Sequence, residues 1–98
     1  MELTGNQIRQ LRSLCNSLKP TVTIGRAGVE AVVEAADASL EAHELVKCSV
    51  QNNSGLDARD AAIALSRLTH SEVVQVIGHR FSLYRETSRD DVEKIKLV

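Results

Sequence analysis

The stretch Gly25-Arg26-Ala27-Gly28 constrains the fold of this chain more than any other. It follows a short alternating run, residues 21–24, that is typical of a β-strand, and it precedes a helical pattern that starts near Val29. Glycine permits positive φ, and a helix that begins behind such a turn directs its free N–H groups toward the turn. That arrangement suits a phosphate group. A tight strand-to-helix connection without a ligand explains the same residues, so the motif alone leaves both interpretations open.

Composition limits the possible functions. With 98 residues the chain is predicted to form one domain with a modest core. Aromatic residues make up only 2%, so a surface that stacks several bases is not expected. The net charge is -1, and any nucleic-acid surface must therefore be a local basic patch. Cys15 and Cys48 are predicted to be buried and reduced, which favours the cytoplasm.

No residue spacing in the chain is typical of catalysis or of metal binding. The histidines and cysteines do not form a metal-ligand pattern, and no Walker lysine follows the glycine turn. We therefore expect no catalytic residue, no metal and no cofactor. No apolar stretch is long enough to suggest a membrane span, so we expect no membrane association.

Periodicity predicts the element order helix, strand, helix, strand, helix, strand, strand. The predicted helices cover residues 4–18, 29–43 and 57–69, and the strands cover residues 21–24, 45–51, 72–77 and 81–85. Thr4 and Gln7 are spaced as a capping box. Each strand has one apolar and one polar face, which is typical of a sheet covered by helices on one side. We therefore predict a two-layer α+β domain, residues 1–85, with a four-stranded mixed sheet, followed by a loosely ordered charged tail, residues 86–98.

The candidate residues for binding a phosphate backbone either belong to the glycine turn or carry a positive charge near it in the predicted fold. They are Gly25, Arg26, Ala27, Gly28, Lys19, Lys47, Arg80, Arg12 and Arg85. Arg26 is the strongest candidate because its sequence neighbours are small and offer no local partner. Structural roles explain the others equally well; Lys19, for example, could stabilise the end of the first helix.

Five segments in fixed order give the chain a family resemblance. They are Leu18-Lys19-Pro20, Ile24-Gly25-x-x-Gly28, His43-Glu44-Leu45-Val46-Lys47, Val74-Gln75-Val76-Ile77-Gly78 and Leu83-Tyr84-Arg85. Together they resemble the YhbY-like family of small bacterial proteins, the stand-alone form of the CRM RNA-binding domain. The resemblance implies a fold like the carboxy-terminal domain of bacterial translation initiation factor three. It also implies a glycine loop similar to that of KH domains, and binding to ribosomal RNA or precursors of the large ribosomal subunit.

The acidic second helix keeps two other functions open. Glu30, Glu34, Asp37 and Glu41 lie on one face of this helix. That face, or the polar face of the sheet, could bind a protein partner, and the glycine turn could instead serve a small enzyme that acts on a phosphorylated ligand. CRM domains tend to be basic and this chain is not, so we expect RNA affinity with a salt slope of only about -2 to -4. A monomer is the expected state.

Overall fold

The described part of the chain, residues 2–98 of a computed structural model, follows the predicted order of elements. The elements are α1 (Gly5–Cys15), β1 (Val22–Ile24), α2 (Val33–His43), β2 (Leu45–Val50), α3 (Ala58–Thr69), β3 (Glu72–Ile77) and β4 (Arg80–Tyr84). Two short 3-10 turns, Val29–Val32 and Asn52–Ser54, follow β1 and β2. The predicted capping box is confirmed, since Thr4 and Gln7 each bond the backbone N–H of the other.

The four strands form one mixed sheet in the order β1-β2-β4-β3. β1 runs parallel to β2, whereas β4 runs antiparallel to both β2 and β3. This confirms the α+β class and the mixed sheet. The β3–β4 hairpin turns at Gly78, whose φ of 58° suits glycine. Because β1 and β2 are parallel, they end at the same edge of the sheet. The β3–β4 hairpin turns at that edge too, because β4 runs antiparallel to β2 and begins opposite its end.

The main core lies between the sheet and helices α2 and α3. Strand residues on this face include Val46, Cys48, Phe81 and Leu83, all of them buried. The small alanine side chains of α3 let this helix approach the sheet closely. They are buried on the face that packs against the sheet: Ala58, Ala61 and Ala62.

Helix α1 packs on the opposite face of the sheet, so the prediction of helices on one face needs correction. Leu11 and Cys15 form a second core with Leu45, Val74 and Tyr84. Leu45 and Tyr84 are register partners that alternate with Val46 and Leu83, and alternate strand residues point to opposite faces. The polar pattern of the sheet concealed this small apolar patch. The helix is also shorter than predicted, ending at Cys15, whose carbonyl accepts a bond from Lys47 Nζ at 3.2 Å.

The C-terminal segment is held against the domain, which differs from the expected loosely ordered tail. The carboxylate of Glu44 is buried and accepts bonds from the backbone N–H groups of Thr87 (2.8 Å) and Ile95 (2.6 Å). Ile95 and Leu97 pack against the second core, and Gln10 bonds the backbone at Lys96 (2.8 Å). Tail charge suggested disorder, whereas the apolar residues among the charges provide the contact that orders it.

Candidate nucleic-acid interface

Residues 25–28 form a tight turn whose backbone requires glycine at position 28. The N–H of Gly28 donates to the carbonyl of Gly25 at 3.1 Å. Gly28 has φ 88° and ψ -177°, a region that is essentially restricted to glycine. A Cβ on Gly25 would lie only 2.8 Å from Oε1 of Gln51. The backbone therefore explains Gly28 without a ligand, whereas it does not require glycine at position 25, because the end of the exposed Gln51 side chain can move. The groups of the turn that can contact a ligand are Arg26, Ala27 and the backbone N–H groups.

The segment behind the turn differs from the predicted helix. Val29–Val32 is a 3-10 turn, and α2 begins only at Val33. Valines are β-branched, which lowers helix propensity in this stretch. The side chain of Glu30 folds back toward the turn, and its Oε2 would lie 3.3 Å from a Cβ on Gly28. The turn therefore offers N–H groups to an anion, but a carboxylate lies beside them and weakens the attraction.

Arg26 is exposed and joins two loops. Its Nε donates to the carbonyl of Asn53 at 3.3 Å, so the expectation that it has no local partner is wrong. Asn53 lies 27 positions away, in the turn after β2, and sequence neighbours could not reveal it. A guanidinium has five N–H donors, so this bond positions the side chain and leaves donors for a ligand.

Three segments meet at one edge of the sheet: residues 25–28, 52–54 and 78–80. We call them the loop end. Gln51 N–H bonds the carbonyl of Ile24 (2.9 Å), and Val50 N–H bonds that of His79 (2.7 Å). The side chain of Arg80 is exposed and has no hydrogen-bond or ion-pair partner within residues 2–98. The fold thus brings Arg26, His79 and Arg80 to the same edge.

Three other residues predicted to bind phosphate either donate hydrogen bonds within the fold or lie away from the loop end. Lys47 is half-buried and caps α1, and Arg12 donates to the carbonyl of Val74 at 3.1 Å. Lys19 precedes β1, whereas the glycine turn follows that strand, so the two lie at opposite ends of β1. It lines a groove of about 440 Å³ together with Leu18 and other residues. The expectation that Lys19 lies beside the turn is therefore wrong.

Arg85 belongs to the far side of the molecule. Its Nη1 bonds both Oδ1 of Asp37 and the carbonyl of Thr69 at 2.6 Å, and Nη2 lies 3.7 Å from Glu41. Glu41 also bonds Ser88, and these bonds lower the pKa of its carboxyl. The contacts of Arg85 join the end of β4 to Asp37 and Glu41 of α2, and they place this side chain away from the loop end.

Sequence reasoning missed three polar residues that the fold brings near the loop end. Gln51 packs against the glycine turn, and Ser49 is the register partner of both Thr23 and Arg80. Gln75 follows an irregularity in β3 that no residue pattern indicates. The one pattern in the sequence that could have indicated Ser49 and Gln75 is the alternation of the strands, which puts both residues on the polar face of the sheet.

The described residues contain neither a metal-binding cluster nor a membrane span. No three His, Cys, Asp or Glu side chains of residues 2–98 are placed to hold an ion. No helix in the same range has the length and apolar character to cross a bilayer. Burial raises the pKa of Cys48 to about 12, so in this environment the thiol stays protonated and unreactive.

Comparison with known proteins gives consistent matches along the chain. The model of the CRS1/YhbY (CRM) domain matches residues 3–85. Probable RNA-binding protein YqeI of Bacillus subtilis is 39% identical over 89 residues, which cover 90% of this chain and 93% of that protein. An RNA-binding protein of Haemophilus influenzae is 32% identical over 95 residues, 93% of either chain. The solution structure of a Staphylococcus aureus protein, described as a candidate RNA-binding protein, matches with a TM-score of 0.76 and 40% identity, over 96% of this chain and 100% of that one.

Proposed function

The chain belongs to the CRS1/YhbY (CRM) domain family, and on that premise we propose that it binds ribosomal RNA, or a precursor of it, at the loop end during assembly of the large ribosomal subunit. RNA binding in general is supported by the family and by the names of the relatives. The RNA target follows from the family resemblance of the sequence. In this proposal the protein acts in the cytoplasm, as a binding protein that catalyses no reaction.

One observation carries the placement of the RNA. Arg26 and Arg80 are both exposed at the loop end, and neither is paired with a carboxylate within the described residues. The acidic residues Glu34, Asp37 and Glu41 lie on α2. This helix packs on the face of the sheet opposite to the one that carries Lys47 and Arg12. Asp37 and Glu41 are paired with Arg85 on the far side of the molecule, so RNA that approaches the loop end does not meet these two carboxylates.

The recognition expected here uses the RNA backbone. The turn of residues 25–28 presents N–H groups and Arg26 supplies a guanidinium, which pairs well with phosphate oxygens. Glu30 opposes this attraction, so the affinity of the turn alone is modest. RNA shape and contacts beyond the turn must supply selectivity, since the loop end contains no Phe, Tyr or Trp and its one ring is the imidazole of His79.

The test places a carboxylate on the turn without straining it. Arg26→Glu and Ala27→Asp both change exposed residues whose φ is not positive, whereas substitution of Gly28 would disturb the backbone. Each change removes or opposes a phosphate contact, and we expect precursor ribosomal RNA to bind about tenfold more weakly or worse. Arg67→Glu is the matched control, because Arg67 is exposed near the end of α3 and has no partner within residues 2–98.

Sedimentation of cell extract tests the proposal in the cell. The wild-type protein should travel with the large subunit or its precursor and lose that association after ribonuclease treatment. The Arg26→Glu protein should stay at the top of the gradient, and the Arg67→Glu protein should behave as wild type. Folded loop variants that bind RNA normally would refute the loop model, and a ribonuclease-resistant complex would indicate a protein partner instead.

A further inference from the structure

A cavity of about 140 Å³ opens on the polar face of the sheet, beside the end of α1. The residues around it are polar, cationic or apolar: Asn16, Lys47, Gln75, Ile77, Arg80, Phe81 and Ser82. Every described residue that lines it is neutral or positive. We call it the sheet cavity.

An irregularity in β3 places Gln75 in this wall. Val73 pairs with Leu83 and Gln75 pairs with Ser82, so β3 has one extra residue at this step. Val74 occupies the bulge and packs into the second core, while Gln75 lies opposite Ser82 at the sheet cavity. The bulge thus brings an amide side chain to the face that also carries Lys47.

Two groups of the sheet cavity lack partners within residues 2–98. Oε1 of Gln75 is buried and accepts no hydrogen bond, although buried acceptors are normally satisfied. The guanidinium of Arg80 is exposed and has no side-chain partner among the described residues. Ile77, with 63% of its surface exposed, adds an apolar wall. A ligand that fits this set has an N–H donor for Gln75, a negative group for Arg80 and a flat apolar surface between them.

The sheet cavity is continuous with the loop end. In the strand register Thr23 pairs with Ser49, Ser49 with Arg80 and Arg80 with Ile77, forming one row across all four strands. This row lies next to residues 25–28 at one side and borders the sheet cavity at the other. β1 and β4 are two strand spacings apart, or about 10 Å. A strand of RNA that contacts the turn therefore reaches Arg80 within a short length.

We propose that the sheet cavity binds one unstacked base of RNA, with its amino group donating to Gln75 Oε1 and the adjoining phosphate against Arg80. The inference rests on the proposed function, since it assigns a second contact to the same RNA. Adenine, cytosine and guanine carry such an amino group. An RNA strand fits better than a protein segment because the walls carry positive charge without carboxylates and offer an amide acceptor beside the exposed aliphatic side chain of Ile77.

The test compares a short cytidine oligomer with the matched oligomer that lacks bases. Both have the same phosphates, so a site that reads only the backbone binds them equally. The wild-type protein should bind the cytidine oligomer about five- to tenfold more tightly, as expected for a lost amide–base contact. Gln75→Met keeps the length of the side chain without the amide; it should bind the two oligomers alike, with thermal stability equal to or above that of wild type.

Arg80→Gln should weaken binding to both oligomers and reduce the salt slope by about 0.7, because one phosphate contact is lost. Arg67→Gln, the same charge change elsewhere, should do neither. Equal wild-type binding of the two oligomers would overturn the sheet cavity as a base site, and so would a Gln75→Met protein that still prefers the cytidine oligomer. If Arg26→Glu nevertheless weakens binding of precursor RNA, the proposed function stands without the cavity. The cavity would instead be assigned to a protein partner if the Gln75→Met protein binds RNA normally but loses a complex that resists ribonuclease.

Discussion

Replacement of the buried carboxylate of Glu44 should release the C-terminal segment. The two oxygens of Glu44 accept the N–H groups of Thr87 and Ile95 separately. Glu44→Gln keeps the shape but offers one acceptor and one N–H₂ group, so one backbone N–H must face another donor. An unsatisfied buried donor costs about 1–3 kcal/mol. For a domain of this size each kcal/mol lowers the melting temperature by about 4–8 °C, so we expect a decrease of roughly 4–24 °C.

Calorimetry and amide hydrogen exchange together test this prediction. Thermal unfolding at neutral pH gives the overall cost, and exchange at Thr87 and Ile95 shows whether the loss is local. Both amides should be protected in the wild-type protein, and at least one should exchange freely in Glu44→Gln. Glu93→Gln is the control, since Glu93 is exposed and has no partner within residues 2–98. Unchanged stability with unchanged protection would refute the idea that Glu44 holds the tail.

Four further measurements follow from the structure. Glu30→Gln removes the carboxylate beside Gly28 and should strengthen RNA binding about threefold, since a charge roughly 6 Å from a phosphate in water contributes about 0.7 kcal/mol; weaker binding in a titration would contradict this. The salt slope for a single-stranded RNA should be only about -1.5 to -2, because Arg26 and Arg80 with one further cation contact the phosphates; a slope several-fold steeper would indicate a larger basic surface. Arg85→Ala should lower stability by about 1–3 kcal/mol in denaturant unfolding and leave RNA affinity unchanged. Because the pKa of Cys48 rises from 9.0 to about 12 on folding, the protonated thiol is favoured in the native state, so its contribution to stability is complete below pH 9 and is lost as the pH rises toward 12; Cys48→Ala should lack that part of the alkaline decline.

Periodicity predicted the elements of this fold because most helices and strands here bury one clear face. Val46, Cys48 and Val50 alternate with other residues as a strand with one buried face requires, and Ala58, Ala61 and Ala62 lie on the buried side of α3. The position of α1 was missed because only Leu45, Val74 and Tyr84 make the second face apolar, and Val74 reaches it through a bulge. A bulge depends on strand pairing, which single-strand patterns do not contain.

The candidate site was predictable only where its residues are adjacent in sequence, because contacts between distant residues depend on how the strands and helices pack. The glycine turn and Arg26 are adjacent in sequence, so their proximity needed no tertiary information. Arg85 and Asp37 are 48 positions apart, and their ion pair depends on how β4 meets α2. Charge alone therefore does not show which of the predicted cations are held by contacts within the folded chain.

The most direct test of the account is to map the RNA contact on the folded protein by amide chemical shifts. Isotope-labelled protein would be titrated with a fragment of precursor ribosomal RNA. The account predicts that the largest changes occur in residues 25–28, 52–54 and 78–80, with smaller changes at Ser49 and Gln75 and none along the exposed face of α2. Changes concentrated on α2, or saturation with no change at the loop end, would contradict it.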